Sequence, residues 1–204
     1  MNDKFFDLKK EKQDKMINAA LKVFSLNDYR RASTDDIVKE ASISKGLLFH
    51  YFKNKAGLYE FIYAYSMKYL AIELYQTVSI NEHDFFELIR QTQQAHLAVM
   101  KQYPYMIMFL SKADEEKDEE VLPYLTEKRV ERKKEYRAIF DRTDMDGWKQ
   151  GVDTEVAKNI IRFTLQGIEK AYLHSDDFIP EELTGKIEEY MNFLQPSMYE
   201  LSEK

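Results

Sequence analysis

Of the 204 residues none is cysteine, 6 are glycine, 4 are proline and 4 are histidine. The missing thiols exclude a disulfide framework, a cysteine nucleophile, a thiolate zinc site and a Cys-ligated iron–sulfur cluster. No apolar run approaches the ~20 residues a membrane-spanning helix needs, and the charged stretch from Met1 to Lys15 has no signal-peptide apolar core. A soluble, cytoplasmic protein is expected. Scarce glycine and proline leave few tight turns, which favours long helices. His50, His83, His96 and His174 show no HExxH or ExxH spacing, and there is no P-loop, GxGxxG or GxSxG. A helical enzyme, or a helix-turn-helix domain fused to one, has no motif to rest on. The expectation is therefore no enzyme, no catalytic residue, no metal and no cofactor.

What is present is 44% hydrophobic residues, enough for the core of one large or two small domains. The formal charge of −6 argues against nucleic acid until it is resolved by segment. Residues 1–55 carry 12 Lys+Arg against 8 Asp+Glu, a net of +4, whereas the remainder carries 18 against 28, a net of −10. A basic quarter on an acidic body suggests a nucleic-acid-binding module attached to something else. A module whose basic face binds an acidic protein is the competing reading.

Helical periodicity covers almost the whole chain. Ile17, Ala20, Leu21 and Phe24 form an i, i+3, i+4, i+7 stripe within 9–26. Ser33 caps a short helix over 34–41, Ser44 caps another reaching Phe52, and Asn54 caps a longer one over 55–75. Further helices are expected over 84–102, 105–113, 122–140, 154–174 and 181–194, with Pro104 separating the second from the first. Six acids in the seven residues 114–120 read as a solvated loop. No strand alternation emerges, so the fold is all-α.

Two short helices joined by a tight turn behind a longer one describe a helix-turn-helix. On the second, Leu48 and Phe52 share an inner face while Gly46 and His50 lie opposite. Gly46 removes a side chain where DNA would approach, His50 can meet a base edge or phosphate, and Lys45, Lys53 and Lys55 can neutralise phosphates. Residues 1–12, with four lysines, form either an arm over DNA or a frayed end.

The run Ser33-Thr34-Asp35-Asp36-Ile37-Val38-Lys39-Glu40-Ala41, followed by Ser44-Lys45-Gly46-Leu47-Leu48-Phe49-His50-Tyr51-Phe52-Lys53-Asn54-Lys55, resembles the N-terminal signature of the tetracycline-repressor-like (TetR) family of transcriptional regulators. The resemblance covers about residues 10–60. It implies a helix-turn-helix DNA-binding domain over 1–55 and a helical ligand-binding and dimerisation domain over 56–204. It further implies a homodimer that represses from a palindromic operator and is released by a small hydrophobic ligand. Carried over by position, Thr34, Ser44, Lys45, Gly46, Leu47, Phe49, His50, Tyr51 and Lys55 fall where family members touch DNA, with Lys55 reaching a phosphate. Phe49 stands where Tyr is frequent, Leu47 replaces a small or polar residue and could read a thymine methyl, and Asp28 stands where Gly is usual.

The body is rich in methionine and aromatic residues, adaptable linings for an apolar ligand. The resemblance places a cavity among its middle helices, with Tyr103, Met106, Phe109, Phe163 and Gln166 as candidate lining. It also pairs the last two helices with those of a second protomer. Ile160, Leu165, Gly167, Ile168, Ala171, Ile187 and Met191 are the candidate interface residues.

Overall fold

The computed structural model of the chain describes residues 3–173 and 179–200; His174 lies outside the described residues. Among the described residues the helices are α1 (Asp3–Phe6), α2 (Lys10–Leu26), α3 (Thr34–Glu40), α4 (Lys45–Phe52), α5 (Lys55–Thr77), α6 (Phe85–Gln102), α7 (Met106–Glu115), α8 (Leu122–Phe140), α9 (Thr154–Leu173) and α10 (Pro180–Met198). Every expected helix is present, its ends shifted by about a turn at most. The only sheet-like pairing among the described residues is one bridge, Trp148 to Tyr199. The fold is all-α, with an N-terminal helix-turn-helix followed by a helical C-terminal part. No helix of the described residues is long and apolar enough to cross a membrane.

Local chemistry sets the helix boundaries. The Ser33 hydroxyl accepts from Asp35 N–H at 3.1 Å and the Ser44 hydroxyl from Leu47 N–H at 3.2 Å, each satisfying a first-turn donor that has no helical partner. Asn54 Oδ1 does the same for Gly57 N–H at 2.7 Å. Pro180 opens α10, where its fixed φ suits a first turn and its missing N–H costs nothing.

The chain divides into two compact units. One comprises the described residues of Met1–Ile72 and Val99–Lys134, the other those of Glu73–Ala98 and Glu135–Lys204. In the first, the periodic face of α2 is buried and Phe24 meets Tyr59 of α5 with ring centres 4.9 Å apart; Tyr59 in turn meets Phe109 of α7 at 5.2 Å. Edge-on aromatic contacts of this kind add about 0.5–1.5 kcal/mol beyond the area they bury. Arg129 and Arg132 of α8 donate to the carbonyls of Ala113 and Leu110, placing cations at the negative end of α7.

The acidic run is not simply a solvated loop. Asp114 and Glu115 finish α7, and Glu116 folds back so that its carboxylate accepts from Tyr29 N–H at 2.8 Å while also accepting from Lys117 and Asp118 N–H. A carboxylate finds three donors there, which solvent would otherwise supply.

In the second unit, α9 packs on α10 through Ala157, Ile161 and Ile168 on one side and Leu183, Ile187 and Met191 on the other. An aromatic group of Phe85, Phe86, Trp148 and Tyr199 closes the unit elsewhere, with Trp148 and Tyr199 5.3 Å apart. Gly147 makes that closure possible: its φ is 85°, and a Cβ would lie 2.4 Å from the Tyr199 ring.

Burial holds the phenols of Tyr29, Tyr59, Tyr63, Tyr103 and Tyr199 above their ordinary value of 10.0 and pushes Tyr124 up to about 12. A phenol raised in the folded state contributes its full share of stability below the unfolded value and loses it as pH climbs towards the folded one. Stability should therefore be insensitive to these groups up to pH ~10 and fall above it. In an alkaline titration followed by circular dichroism and tyrosinate absorbance, unfolding and phenol ionisation should coincide.

Candidate nucleic-acid interface

The candidate element is built from α3 and α4, with α3 packed on α2. Ser42, at φ 53°, makes the sharp turn between them. Inside, Ile37, Leu48 and Phe52 are buried. On the outer surface of α4, Ser44, Lys45, Gly46 and His50 are exposed, while Leu47, Phe49 and Tyr51 are half-buried on its flanks; Thr34 is half-buried at the start of α3. These eight candidates are thus gathered on two adjoining helices. The ninth, Lys55, starts α5 and is half-buried.

Gly46 is bare for no reason internal to the protein. A Cβ built there would meet nothing within 4 Å. Glycine nonetheless costs about 1 kcal/mol against alanine in a helix. Beside it, the N–H groups of Lys45 and Gly46 belong to a first turn and have no intrahelical acceptor. Lys45 is ion-paired to Asp35 at 2.8 Å across the turn, both exposed, so the pair is worth at most about 1 kcal/mol and yields readily to a stronger anion.

The end of α4 is strained. Lys53 has φ 60° and ψ −53°, and Asn54 N–H donates back to the Phe52 carbonyl at 2.6 Å, the arrangement of a γ-turn that side chains rarely adopt. The same carbonyl sits where a Cβ on Gly57 would be, 2.5 Å away. Here glycine is required, because α5 starts pressed against the end of α4.

Lys55 is placed differently from the expected phosphate contact. Its ammonium donates to the carbonyls of Tyr29 at 2.8 Å, Ala32 at 3.4 Å and Arg30 at 3.5 Å, and lies 4.3 Å from the Tyr29 ring centre. In the free protein it clasps the loop between α2 and α3.

The N-terminal segment is likewise not frayed over its described residues. Phe5 of α1 is fully buried, with ring centres 5.0 Å from Phe61, 5.3 Å from Phe52 and 5.8 Å from Tyr51. Lysines flanking an aromatic pair masked this in the sequence; the signal was Phe5 itself.

Of the candidate ligand residues, Tyr103, Met106 and Phe109 are buried in the first unit, and Phe163 and Gln166 are exposed in the second. The Tyr103 hydroxyl donates to Asp14 at 2.6 Å and also meets Lys10 and Tyr65. Of the candidate interface residues, Ile160, Gly167 and Ala171 are exposed, Leu165 is half-buried, and Ile168, Ile187 and Met191 are buried within the protomer. The sequence reading passed over Phe193, which is 81% exposed on α10, although Tyr190 three residues before it marks the same face.

Residues 16–62 match the family described as bacterial regulatory proteins, tetR family. No curated protein matches the chain significantly. Among solved structures, the chain is similar to a TetR family transcriptional regulator from Chloroflexus aurantiacus, with 19% identity, TM-score 0.62 and 98% of each chain covered. It is also similar to the ketosteroid transcriptional regulator KstR2 of Mycobacterium tuberculosis, with 13% identity, TM-score 0.66, and 91% of this chain and 94% of that one covered. These likenesses carry the fold over nearly the whole length.

The two glycines should behave oppositely. Gly57→Ala should lower stability by about 1–3 kcal/mol, since a backbone oxygen must move. Gly46→Ala should leave the protein as stable or about 1 kcal/mol more so. Lys55→Ala should cost about 1.5–3 kcal/mol through loss of charge-assisted bonds. Thermal and urea melts check all three.

Proposed function

We propose that this chain, a member of the tetR family of bacterial regulatory proteins, is a DNA-binding transcriptional repressor acting as a homodimer on a palindromic operator in the cytoplasm. The observation that carries the reading is the outer face of α4. It combines a glycine with open space around it, a lysine held only by an exposed ion pair, an exposed His50 and free first-turn N–H groups. Those are the features of a helix that lies close to a polyanion and reads base edges. The division of labour follows the charge: residues 1–55 read DNA, and the acidic body 56–204 responds and dimerises.

In this reading Thr34, Ser44, Lys45 and Tyr51 position the helix on phosphates, while Leu47, Phe49 and His50 face base edges across the surface that Gly46 leaves open. Lys55 acts at one remove, by holding the loop that carries α3. The partner protomer covers the outer apolar faces of α9 and α10. Val156, Ile160 and Phe163 on α9, and Tyr190 and Phe193 on α10, are exposed, as an isologous four-helix contact requires. Ile187 and Met191 support that surface from within. A small hydrophobic ligand taken up by the body releases the DNA.

A gel shift against the DNA upstream of the protein's own gene tests the reading. It should give a discrete, salt-sensitive complex containing two protomers, on half-sites about 34–36 Å apart or at a larger in-phase spacing. Lys45→Ala should weaken binding to all sequences alike. Leu47→Ala or His50→Ala should change the ranking of operator variants, about 1–3 kcal/mol at the positions they read. Absence of any complex at low salt would sink the proposal, and uniform losses for both classes of variant would sink the assignment of roles.

A further inference from the structure

We propose that the loop between α2 and α3 is a second DNA contact, in which Arg30 and Arg31 grip the phosphate backbone and Glu116 holds them in position from the turn after α7. The inference rests on the DNA-binding reading above and extends it beyond α3 and α4. None of the nine candidate DNA contacts lies in this loop. All the groups involved belong to the first unit.

Two observations carry it. The first is a pair of arginines that the protein leaves unserved. Arg30 and Arg31 are exposed between Tyr29 and Ala32, which are only 2% and 3% exposed. Neither guanidinium meets an acid or a carbonyl among the described residues. Lys22, Lys45 and Lys112 are by contrast paired, to Glu40 at 2.7 Å, Asp35 at 2.8 Å and Asp28 at 3.6 Å. Asp28 is the only acid between Asn27 and Ser33, and it is turned to Lys112 of α7. Adjacent unpaired cations repel each other. A phosphate backbone relieves that repulsion, and its oxygens match the guanidinium fork.

The second is the backbone beneath them. Tyr29 N–H donates to the Glu116 carboxylate at 2.8 Å, and the carbonyls of Tyr29, Ala32 and Arg30 accept from Lys55 at 2.8, 3.4 and 3.5 Å. Arg31 N–H and Ala32 N–H both donate to the Asp28 carbonyl, at 3.0 and 2.9 Å. Glu116 is fixed in turn: its other carboxylate oxygen accepts from Lys117 and Asp118 N–H, and Arg129 Nη2 donates to its carbonyl. A loop tied in this way presents its arginines with little further ordering cost on binding. Asp35, paired with Lys45 at the start of α4, follows Arg31 by four residues, which span ~14 Å at most. A duplex seated on α4 bears one charge per ~1.7 Å of axis, so phosphates fall inside that span.

The test measures binding of the full-length protein to the DNA upstream of its own gene, with affinities expressed per active protomer from stoichiometric titration. Arg30→Ala and Arg31→Ala should each weaken binding to all sequences about tenfold, equivalent to ~1.4 kcal/mol, with melting unchanged. Each should also lower the slope of log K against log salt by about 1. Glu116→Gln keeps the shape of the side chain, yet either orientation of its amide sets an NH₂ against a backbone N–H. It should weaken binding about tenfold although it removes a negative charge. Glu119→Gln, exposed in the same turn, makes the same charge change and should bind at least as tightly as the parent. In the Arg30→Ala/Arg31→Ala background Glu116→Gln should cost less than about twofold, whereas a merely structural role would cost the same in both backgrounds. The Tyr29 amide should exchange about tenfold faster in Glu116→Gln, a readout that needs no DNA. Unchanged affinity and salt slope in both arginine variants would overturn the inference and leave the DNA reading standing. So would a Glu116→Gln loss as large without the arginines as with them, an equal loss in Glu119→Gln, or unaccelerated Tyr29 exchange. A parent that binds no DNA at low salt would overturn both.

Discussion

The placement of α3 and α4 depends on how one loop peptide is held. Tyr29 N–H is bound by the Glu116 carboxylate and Tyr29 C=O by the Lys55 ammonium, so both polar groups of that residue are fixed from opposite sides. Lys112 reaches Asp28 at 3.6 Å and adds a weaker tie to the same loop. The arrangement has a cost, because a lysine at the first position of α5 sits at the positive end of that helix. Its three carbonyl acceptors and the Tyr29 ring face outweigh a dipole effect of about 0.3–1 kcal/mol. The consequence is mechanical: α3 hangs from a loop whose position is set by α5 and by the turn after α7.

The same helix, α4, is tightly determined on one side and undetermined on the other. Its inner residues are buried, both turns that flank it contain a non-glycine residue at positive φ, and its last carbonyl is pressed against Gly57. Backbone strain of this kind persists only where surrounding contacts over-determine it, and it gathers at functional sites. The outer side shows the reverse, with a glycine in open space and an exposed ion pair. Rigid support behind an unsatisfied surface is the division expected of an element that must present side chains to a partner without yielding itself.

Much of this was legible in the sequence because it is local. The stripe Ile17, Ala20, Leu21, Phe24 fixed a helix and its buried face, and Ser33, Ser44 and Asn54 marked starts that the hydrogen bonds bear out. What escaped is long-range. Nothing near Lys55 says that its ammonium turns towards carbonyls some 25 residues earlier. Six acids in seven residues look like solvent-facing charge until Tyr29 N–H arrives from 87 residues away. On α9 and α10, periodicity identifies two apolar faces but cannot rank them. Ile187 and Met191 turn inwards while Phe163, 62% exposed, and Phe193 turn outwards. That choice is made by which neighbour is available, a property of the packed chain and not of the segment.

Phe5 gives the N-terminal helices a boundary that a helix-turn-helix motif alone does not suggest. Because its ring fills the space between Phe52, Phe61 and Tyr51, the first described turn of the chain is a packing partner of α4 and not a leader to it. An affinity tag fused at that end, or a protease that nicks between α1 and α2, would act on the outer face of α4 from behind, and under the proposed function would alter DNA affinity while every proposed contact side chain remains intact.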